Sequence, residues 1–412
     1  MADAGTMRIR AGRLIDGTGA EPQENVTVTV EQGMITRIEP GGGAGGDALD
    51  LSNYTLMPGL INMHAHTVLP GDGTPFEEWM EQPDEILLLQ AFANVRTSLY
   101  AGVTTIRDCG GQEMLTFRLR DAIRAGVVEG PRLVLSGWPL TITGGHCRYF
   151  GGETDGVEGM RLGAREALKA GADFVKIMAS GGGTVGTYSQ YPSFETEELR
   201  AAIDEAHKVR KPASCHTIAT ESIERALDAG TDHIEHCSFM APDTSWKYEE
   251  PLARRVAEQG AYVTATLQVG FDRHDALREM HERGEAMTPA EQTQFEGIEQ
   301  AHANSIANIR NLHELGVKLV AGSDAGWRHT GFDDFYLELV YLAEAGMTPL
   351  EAIHTATGRA AAACRIEQTV GTIAPGKVAD LLAIAGDPSS DLTTLRQPAM
   401  IIQTGKTIVD RR

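Results

Sequence analysis

The middle of the chain alternates short apolar segments with longer amphipathic ones, and this alternation constrains the fold more than any other feature. Eight segments have the length and residue types of strands: Leu60–His66, Thr104–Asp108, Arg132–Ser136, Phe174–Ala179, Ala213–Thr217, His233–Cys237, Tyr262–Thr266 and Lys318–Ser323. Segments between them carry the 3.6-residue apolar repeat of helices: Leu87–Ala101, Phe117–Ala125, Gly159–Ala170, Thr196–Lys208, Glu221–Ala229, Pro251–Gln259 and Glu291–Leu315. Eight strands alternating with helices predict an α/β protein with a (β/α)8 barrel of the TIM type. An open doubly wound sheet has the same local pattern, but no Gly-x-Gly-x-x-Gly opens its first turn.

Both ends of the chain differ from this middle. Residues 7–56 contain short strand-like runs separated by turn signals, with a glycine-rich loop over 41–46, and residues after Gly371 have the same character. Short ribbons are marginally stable alone, so we expect both ends to share one small β-sandwich. The predicted domains are therefore 1–57 with 371–412 for the sandwich, and 58–370 for the barrel.

Composition narrows the classes of protein that fit. The 412 residues include 36 Lys and Arg against 57 Asp and Glu, a net charge of −21 that disfavours nucleic acid and anionic membranes as partners. No apolar run approaches the roughly 20 residues that a membrane helix needs. Five dispersed cysteines without Cys-x-x-Cys spacing indicate free thiols in a reducing compartment. We therefore expect a soluble, cytoplasmic protein.

Residue types that bind metals stand at the ends of several predicted strands. The first strand ends in His64-Ala65-His66, and alternate residues of a strand share a face, so both imidazoles project together. Taken alone, this pair is equally compatible with two polar residues on a half-exposed strand. Other strands carry or end in Lys176, His216, His236 and Asp324. Because active sites of such barrels lie at the carboxyl ends of the strands, we expect all six side chains to converge.

Lys176 is the unusual member of this group, since it lies among apolar neighbours. Burial disfavours a charged lysine and lowers its pKa. One interpretation is a lysine that extends its ammonium group to a carboxylate. The other is a neutral amine that has captured carbon dioxide as a carbamate, whose two oxygens can bridge two metal ions. Together with Asp324, the carbamate would supply two negative charges, which suits a two-metal hydrolase.

Four motifs carry a resemblance to a known family: Pro58-Gly-Leu-Ile-Asn-Met-His-Ala-His66, Val175-Lys-Ile-Met-Ala-Ser-Gly-Gly-Gly183, Ile234-Glu-His-Cys237 and Gly322-Ser-Asp-Ala325. They resemble the amidohydrolase superfamily, and most closely the imidazolonepropionase-related branch with its dinuclear prolidases and carboxypeptidase-like amidohydrolases. The resemblance implies two divalent metal ions, usually zinc, although manganese, iron or cobalt would suit the same ligands.

The resemblance also implies a role for each ligand. One metal ion would be held by His64, His66, Lys176 and Asp324, and the other by Lys176, His216 and His236, with carboxylated Lys176 as the bridge. A hydroxide bridging the metals would attack an amide or peptide bond of a small substrate, such as a dipeptide or an N-acyl amino acid. Asp324 would take its proton and pass it to the leaving amine. Resembling proteins are commonly dimers or larger assemblies, so a homo-oligomer is expected.

Candidate substrate contacts are less uniform. His146, in the loop after the third strand, resembles a residue of this branch that contacts substrate or stabilises an oxyanion, and Arg148 and Tyr149 follow it. Resembling dipeptidases have a tyrosine where this chain has Phe194, so Tyr188 or Tyr191 is a candidate replacement. His329 lies beyond Asp324 and is a further candidate, as is an anion contact by Arg328. The segment 271–300 is predicted to form helices beside the mouth or on the solvated surface.

Two alternatives remain open at this level. A mononuclear deaminase or cyclic-amide hydrolase of the same superfamily would keep the fold without needing Lys176 in the barrel. A catalytically inactive barrel scaffold would belong to another functional class, although such proteins typically lose ligands. Metal content per chain distinguishes the enzymatic alternatives, and a panel of amide substrates tests the scaffold.

Overall fold

The computed structural model describes residues 5–41 and 48–412, so most of the glycine-rich loop predicted over 41–46 lies outside the described residues. The strands are β1 (Met7–Leu14), β2 (Gln23–Glu31), β3 (Met34–Pro40), β4 (Leu49–Pro58), β5 (Leu60–Ala65), β6 (Val103–Asp108), β7 (Arg132–Leu135), β8 (Val175–Met178), β9 (Ala213–Ala219), β10 (His233–Met240), β11 (Tyr262–Thr264), β12 (Lys318–Val320), β13 (Leu381–Ala385), β14 (Met400–Gln403) and β15 (Lys406–Asp410). The helices are α1 (Phe76–Trp79), α2 (Asp84–Tyr100), α3 (Leu115–Arg124), α4 (Gly156–Ala170), α5 (Thr196–Lys208), α6 (Thr220–Ala229), α7 (Glu250–Gln259), α8 (Phe271–Glu282), α9 (Pro289–Glu314), α10 (Tyr336–Glu344), α11 (Pro349–Thr355) and α12 (Gly358–Ala363).

Strands β5 to β12 run parallel and follow one another around a ring. Hydrogen bonds order them as β5-β6-β7 in one sheet and β8-β9-β10-β11-β12 in another. Leu140 joins β7 to β8, because its N–H donates to the Lys176 carbonyl and its own carbonyl accepts from the Met178 N–H, both at 2.8 Å.

The ring closes between β12 and β5. The Met63 N–H donates to the Ala321 carbonyl at 3.0 Å, and the Asp324 N–H donates to the His64 carbonyl at 2.9 Å. Gly322 permits this approach, since a Cβ there would lie 2.8 Å from the His64 backbone nitrogen. The eight strands therefore form the (β/α)8 barrel that the sequence predicts.

Both ends of the chain build a separate seven-stranded sheet, ordered β15-β14-β13-β4-β1-β2-β3. This sheet folds over on itself, because the Ile35 N–H of β3 donates to the Lys377 carbonyl at 2.7 Å, just before β13. Its enclosed core includes Ile9, Val28 and Leu381. The expected sandwich is thus a single sheet shared by both ends; the exact domain boundaries stay a prediction.

Most predicted bounds agree with the structure to within a few residues, and the helix Thr196–Lys208 agrees at both ends. The last two barrel strands end earlier than predicted, at Thr264 and Val320. The chain leaves the extended conformation near those ends, where Thr266 and Asp324 have φ values of 52° and 59°. Among the described residues, no helix is long and apolar enough to cross a membrane.

Candidate active site

The carboxyl ends of five barrel strands bring the six predicted ligands together around one cavity. They are His64 in β5, His66 just after it, Lys176 in β8, His216 in β9, His236 in β10 and Asp324 after β12. Only His236 is partly exposed; the other five are buried. The barrel thus gathers, at one end of its axis, residues that lie up to 260 positions apart in sequence.

Short distances link the side chains of this group to one another. The Nε2 atoms of His64 and His66 each lie 3.5 Å from Asp324 Oδ1, and one ligand atom from each residue lies within 4.8 Å of the others. On the other side, the rings of His216 and His236 are 4.6 Å apart, and His236 lies 5.1 Å from the His64 ring. The imidazoles therefore form one continuous cluster.

The two imidazoles at the end of β5 are each oriented by a hydrogen bond at Nδ1. His64 Nδ1 lies 2.8 Å from Glu235 Oε2, and His66 Nδ1 lies 3.0 Å from the Gly110 carbonyl oxygen. Both bonds require Nδ1 to carry the proton when the ring is neutral, which leaves Nε2 with a free lone pair. Both Nε2 atoms face Asp324.

The second pair of imidazoles is held in the same manner. His236 Nδ1 lies 2.7 Å from Thr266 Oγ1, whereas His216 uses Nε2, at 3.2 Å from the Gly181 carbonyl oxygen. His216 consequently has Nδ1 available, and His236 has Nε2. Each ring thus keeps one nitrogen free for the centre of the cluster.

Two polar atoms in the centre have no hydrogen-bond partner among the described residues. They are Lys176 Nζ, on a side chain only 1% exposed, and Asp324 Oδ1. Burial raises the pKa of the Asp324 carboxyl to about 7 and lowers the pKa of His64 and of His66 to about 3 each. The imidazoles are therefore neutral near pH 7, the form that binds metals.

His146 lies beside this cluster, on the loop between β7 and α4. Its ring is 4.6 Å from the His216 ring, and its Nδ1 lies 2.9 Å from Thr184 Oγ1. Gly182 allows the loop after β8 to pass over the imidazole, since a Cβ there would lie 2.5 Å from His146 Nε2. Burial, followed by the nearby His216, holds the pKa of His146 well below its usual value, so the ring is neutral near pH 7.

Other predicted substrate contacts are distributed unevenly. His329 and Arg328 line the cavity. Arg148 and Tyr149 do not: the Arg148 guanidinium donates to the Val185 carbonyl at 3.1 Å, and the Tyr149 ring packs against Phe150.

The two tyrosines proposed to replace a missing one also lie outside the cavity. Tyr188 and Tyr191 are 66% and 51% exposed and pack against each other, with ring centres 6.4 Å apart. Phe194 is buried in the apolar core behind β8. This structure therefore places neither tyrosine where it touches the central cluster.

Comparison with known proteins agrees with this geometry. The Amidohydrolase family model matches residues 55–408. The chain belongs to the amidohydrolase family. It is accordingly a hydrolase of carbon–nitrogen bonds, and members of the family generally use divalent metal ions.

Relatives of this amidohydrolase match it over nearly its whole length. Ochratoxinase of Aspergillus niger is 26% identical, with 97% of this chain and 85% of that protein covered. The solved structure of a Xaa-Pro dipeptidase with bound methionine is 27% identical with a TM-score of 0.83, covering 98% of this chain and 99% of that one. A prolidase complexed with N-methylphosphonate-L-proline is 26% identical, also with a TM-score of 0.83, covering 99% and 100%.

The central cluster of this amidohydrolase fits divalent ions. Its unpartnered atoms are an amine and a carboxylate oxygen, and the four imidazoles each keep one nitrogen free. Buried polar atoms without partners are rare in folded proteins and call for a specific explanation. Cations among these atoms would provide the missing partners.

One important residue was not recognised from the sequence. Glu235 lies in the barrel interior, where its Oε1 accepts a hydrogen bond from Arg107 Nη1 at 2.7 Å and another from the Ser214 hydroxyl, while Oε2 contacts His64. Burial opposes its ionisation, but Arg107, Lys176 and His64 together outweigh burial and hold the pKa of Glu235 well below its usual range. In the sequence, the only indication of this pair is one charged residue inside each of two apolar strands, Arg107 in β6 and Glu235 in β10.

The cavity has a volume of about 390 Å³ and two different sides. The six central residues form its strand wall. Another part of the lining is its helix wall, formed by Arg273 and His274 of α8 together with Gln294, Ile298, Ala301, His302 and Ser305 of α9. Segment 271–300 is therefore helical, as predicted, and contributes directly to the cavity.

Proposed function

We propose that the protein is a dinuclear metal-dependent hydrolase that cleaves an amide or peptide bond of a small substrate, of the dipeptide or N-acyl amino acid type. The observation that carries this proposal is Lys176. Among the described residues, its amine is buried without a hydrogen-bond partner, in the cavity that His64, His66, His216 and His236 also line. A charged ammonium group in that position would lie near the Asp324 and Glu235 carboxylates, but among the described residues none accepts a hydrogen bond from it.

Carboxylation of Lys176 resolves this problem. The neutral amine attacks carbon dioxide, a nitrogen–carbon bond forms, and one proton leaves to solvent, so that a carbamate anion results. Its charge and that of Asp324 would partly neutralise two divalent cations, and its two oxygens offer one donor to each. His64, His66 and Asp324 would complete one site, and His216 and His236 the other.

Two divalent ions held there, zinc or one of the similar ions, would polarise the scissile carbonyl and acidify the attacking water. Asp324 would accept a proton from this water through Oδ1 and deliver it to the amide nitrogen as the carbon–nitrogen bond breaks. His146 would donate a hydrogen bond to the carbonyl oxygen as negative charge develops there. The products would be a carboxylate and an amine.

Metal content of the purified protein tests the proposal. We expect two equivalents of divalent metal per chain. Reconstitution of the metal-free protein should require bicarbonate, because the carbamate needs carbon dioxide. One equivalent would favour the mononuclear deaminase or cyclic-amide hydrolase, and no activity against any amide after metal addition would favour the inactive scaffold.

Replacement of Lys176 by alanine provides the second test. We expect a loss of one metal equivalent and about a 1,000-fold fall in kcat, because the Lewis acidity of one ion contributes several kcal/mol to the transition state. Added short carboxylates, such as propionate, should restore part of the activity. Lys318→Ala, an exposed lysine at the opposite end of the barrel, is the matched control and should be unaffected. Full activity and metal content in Lys176→Ala would refute the assignment.

A further inference from the structure

We infer that the substrate is an N-acylated amino acid whose free carboxylate is bound by Arg328 and Arg273 and whose acyl part carries no ammonium group. The inference rests on the proposed amide hydrolysis and narrows its substrate class. It excludes free dipeptides as the preferred substrates.

Cationic side chains outnumber carboxylates in the lining of the cavity. Asp324 is the only carboxylate among the described lining residues, and the proposed mechanism already uses it for proton transfer. Apart from Lys176, the cationic side chains there are Arg273 and Arg328. Two guanidinium groups facing the cavity of a chain with a net charge of −21 indicate selection for an anionic ligand.

Arg328 has no carboxylate within 4 Å in the described part of the chain. Its guanidinium reaches the loop after β8, where a Cβ at Gly183 would lie 2.9 Å from Nη2. The residue has a φ of 50°, in the left-handed region that L residues rarely adopt. Backbone strain of this kind persists where the surrounding structure enforces it, and it clusters at functional sites.

Arg273 is the second cation that has no carboxylate within 4 Å among the described side chains, although the Glu291 carboxylate lies close enough for Arg273 to lower its pKa. Its Nε and Nη2 donate to Gln294 Oε1 at 3.2 and 3.0 Å, so its partner is neutral. Other arginines of α8 and its end differ, since Arg278 pairs with Asp275, and Arg283 pairs with Glu279. The bond to Gln294 orients the planar group and leaves its charge available for a carboxylate.

Both guanidinium groups act on the same imidazole, that of His329. Burial lowers the pKa of His329, and Arg273 and Arg328 lower it further, against the opposing effect of Asp72. The two cations therefore both lie within electrostatic range of His329, which lines the same cavity. Two guanidinium groups around a single position are suited to the two oxygens of a carboxylate.

The remainder of the lining is unsuited to an ammonium group. Apolar side chains such as Met240, Trp246, Leu267 and Ile298 cover much of it. The nearby Glu299 carboxylate is engaged by His274 and does not line the cavity. A free amino terminus bound here would lose its hydration without gaining a dedicated anionic partner, whereas an apolar acyl group would gain contacts.

Three substrates that differ by single groups test the inference on the metal-loaded enzyme. N-propionyl-L-phenylalanine is the expected substrate, glycyl-L-phenylalanine exchanges its terminal methyl for an ammonium group, and N-propionyl-L-phenylalaninamide removes the carboxylate charge. We expect kcat/KM for the first to exceed each of the others by about 10- to 100-fold, the range of a charge-assisted hydrogen bond. A preference for the dipeptide or for the amide would overturn the inference while leaving amide hydrolysis intact.

Variants then assign the preference to the two arginines. Arg328→Gln and Arg273→Gln should each reduce the acid-to-amide ratio of kcat/KM by about 10-fold, mainly through KM. Arg283→Gln, which removes an ion-paired cation of the same helical segment outside the cavity, should not change it. An equal loss for acid and amide would show a structural role and overturn the assignment.

Binding provides a readout that is independent of turnover. Calorimetric titration with N-propionyl-L-phenylalanine should show weaker binding to both cavity variants than to Arg283→Gln. If none of the three amides is hydrolysed, the proposed function fails, and this titration still decides the inference: equal affinities in all variants would overturn it.

Discussion

The strand wall and the helix wall line one cavity, yet they are built in different ways. Strand-wall residues are held by backbone bonds and by second contacts such as Glu235 to His64 at 2.8 Å, deep in the barrel. The α9 part of the helix wall lies on a segment in which no residue from 281 to 307 is buried, whereas His274 and Leu277 of α8 are buried. Only near its end does α9 reach the core, through Asn308, Ile309 and Leu312.

This contrast indicates a division of labour. Atoms that move protons or bind metals need fixed positions, and the closed barrel supplies them. Contacts that choose between substrates need only the right shape and charge, and these can vary on exposed helices without disturbing the barrel. If this is correct, strand-wall variants should change kcat alike for all substrates, whereas helix-wall variants should change their relative KM.

The largest effect is expected for Asp324→Asn. It keeps the shape of the side chain but removes the proton acceptor, so kcat should fall about 1,000-fold for every substrate. Steady-state kinetics on several amides at fixed metal loading measure it. Asp333→Asn, an exposed residue of the same loop, is the control. A loss confined to one substrate would contradict the proposed division.

The next largest effect is expected for Glu235→Gln. The change removes the carboxylate that orients His64 and leaves Arg107 with a neutral partner, so metal affinity should fall about 10- to 100-fold. Competition with a chelator measures this affinity. Glu205→Gln is a matched control. It also replaces a carboxylate that has several cationic partners, but this one lies on α5 and does not line the cavity. Unchanged affinity would exclude Glu235 as a positioning residue.

A smaller, pH-dependent effect is expected at Glu338 of α10. Glu338 is buried, its Oε2 accepts from the Gln268 N–H at 2.8 Å, and burial raises its pKa to about 8. An unfolded glutamate titrates near 4.3, so the folded state holds an extra proton between these values and loses stability as pH rises through this window.

Glu338→Gln should abolish this dependence. We expect the unfolding free energy of the wild type to decrease, relative to the variant, by about 1 kcal/mol per pH unit between pH 5 and 8. Urea titrations at each pH and equal metal loading measure it, with the exposed Glu344→Gln as the control. Parallel curves for wild type and variant would show that Glu338 is ionised throughout.

The smallest effect is expected on the helix wall. Ile298→Ala should raise KM for substrates with bulky acyl groups about 3- to 10-fold, because the half-buried side chain loses contacts worth roughly one buried CH2 group or slightly more. Acetylated substrates should be unaffected, and kcat should not change. Ile306→Ala, which lies on the same helix outside the cavity lining, controls for general loosening of α9. A fall in kcat for all substrates would contradict the proposed difference in function between the two walls.

The two walls also differ in how far the sequence predicts them. Each strand-wall residue stands within or just after a barrel strand, and the barrel brings neighbouring strands together, so local patterns are sufficient to find His64, His216 or Asp324. The sequence does not predict the contact between Glu235 and Arg107, because they meet across the barrel interior and no local period links β10 with β6.

Substrate contacts are harder to predict for a related reason. Tyr188 and Tyr191 follow Lys176 closely in sequence, but the loop turns both outward, whereas Arg273 comes from a distant helix and lines the cavity. Loop paths depend on packing against elements far along the chain, which neither spacing nor residue type reveals.

The shared terminal sheet has a consequence for synthesis of the chain on the ribosome. Strand β4 leads directly into β5. One edge of β4 pairs with β13, where Leu381 lies opposite Pro58. Some 320 residues separate these partners, so at about 5–20 residues per second that edge waits roughly 20–60 s for its neighbour. An unpaired strand edge is a template for association with other chains. Slower translation would lengthen this exposure, so the yield of folded protein should depend on how quickly the last strands are made.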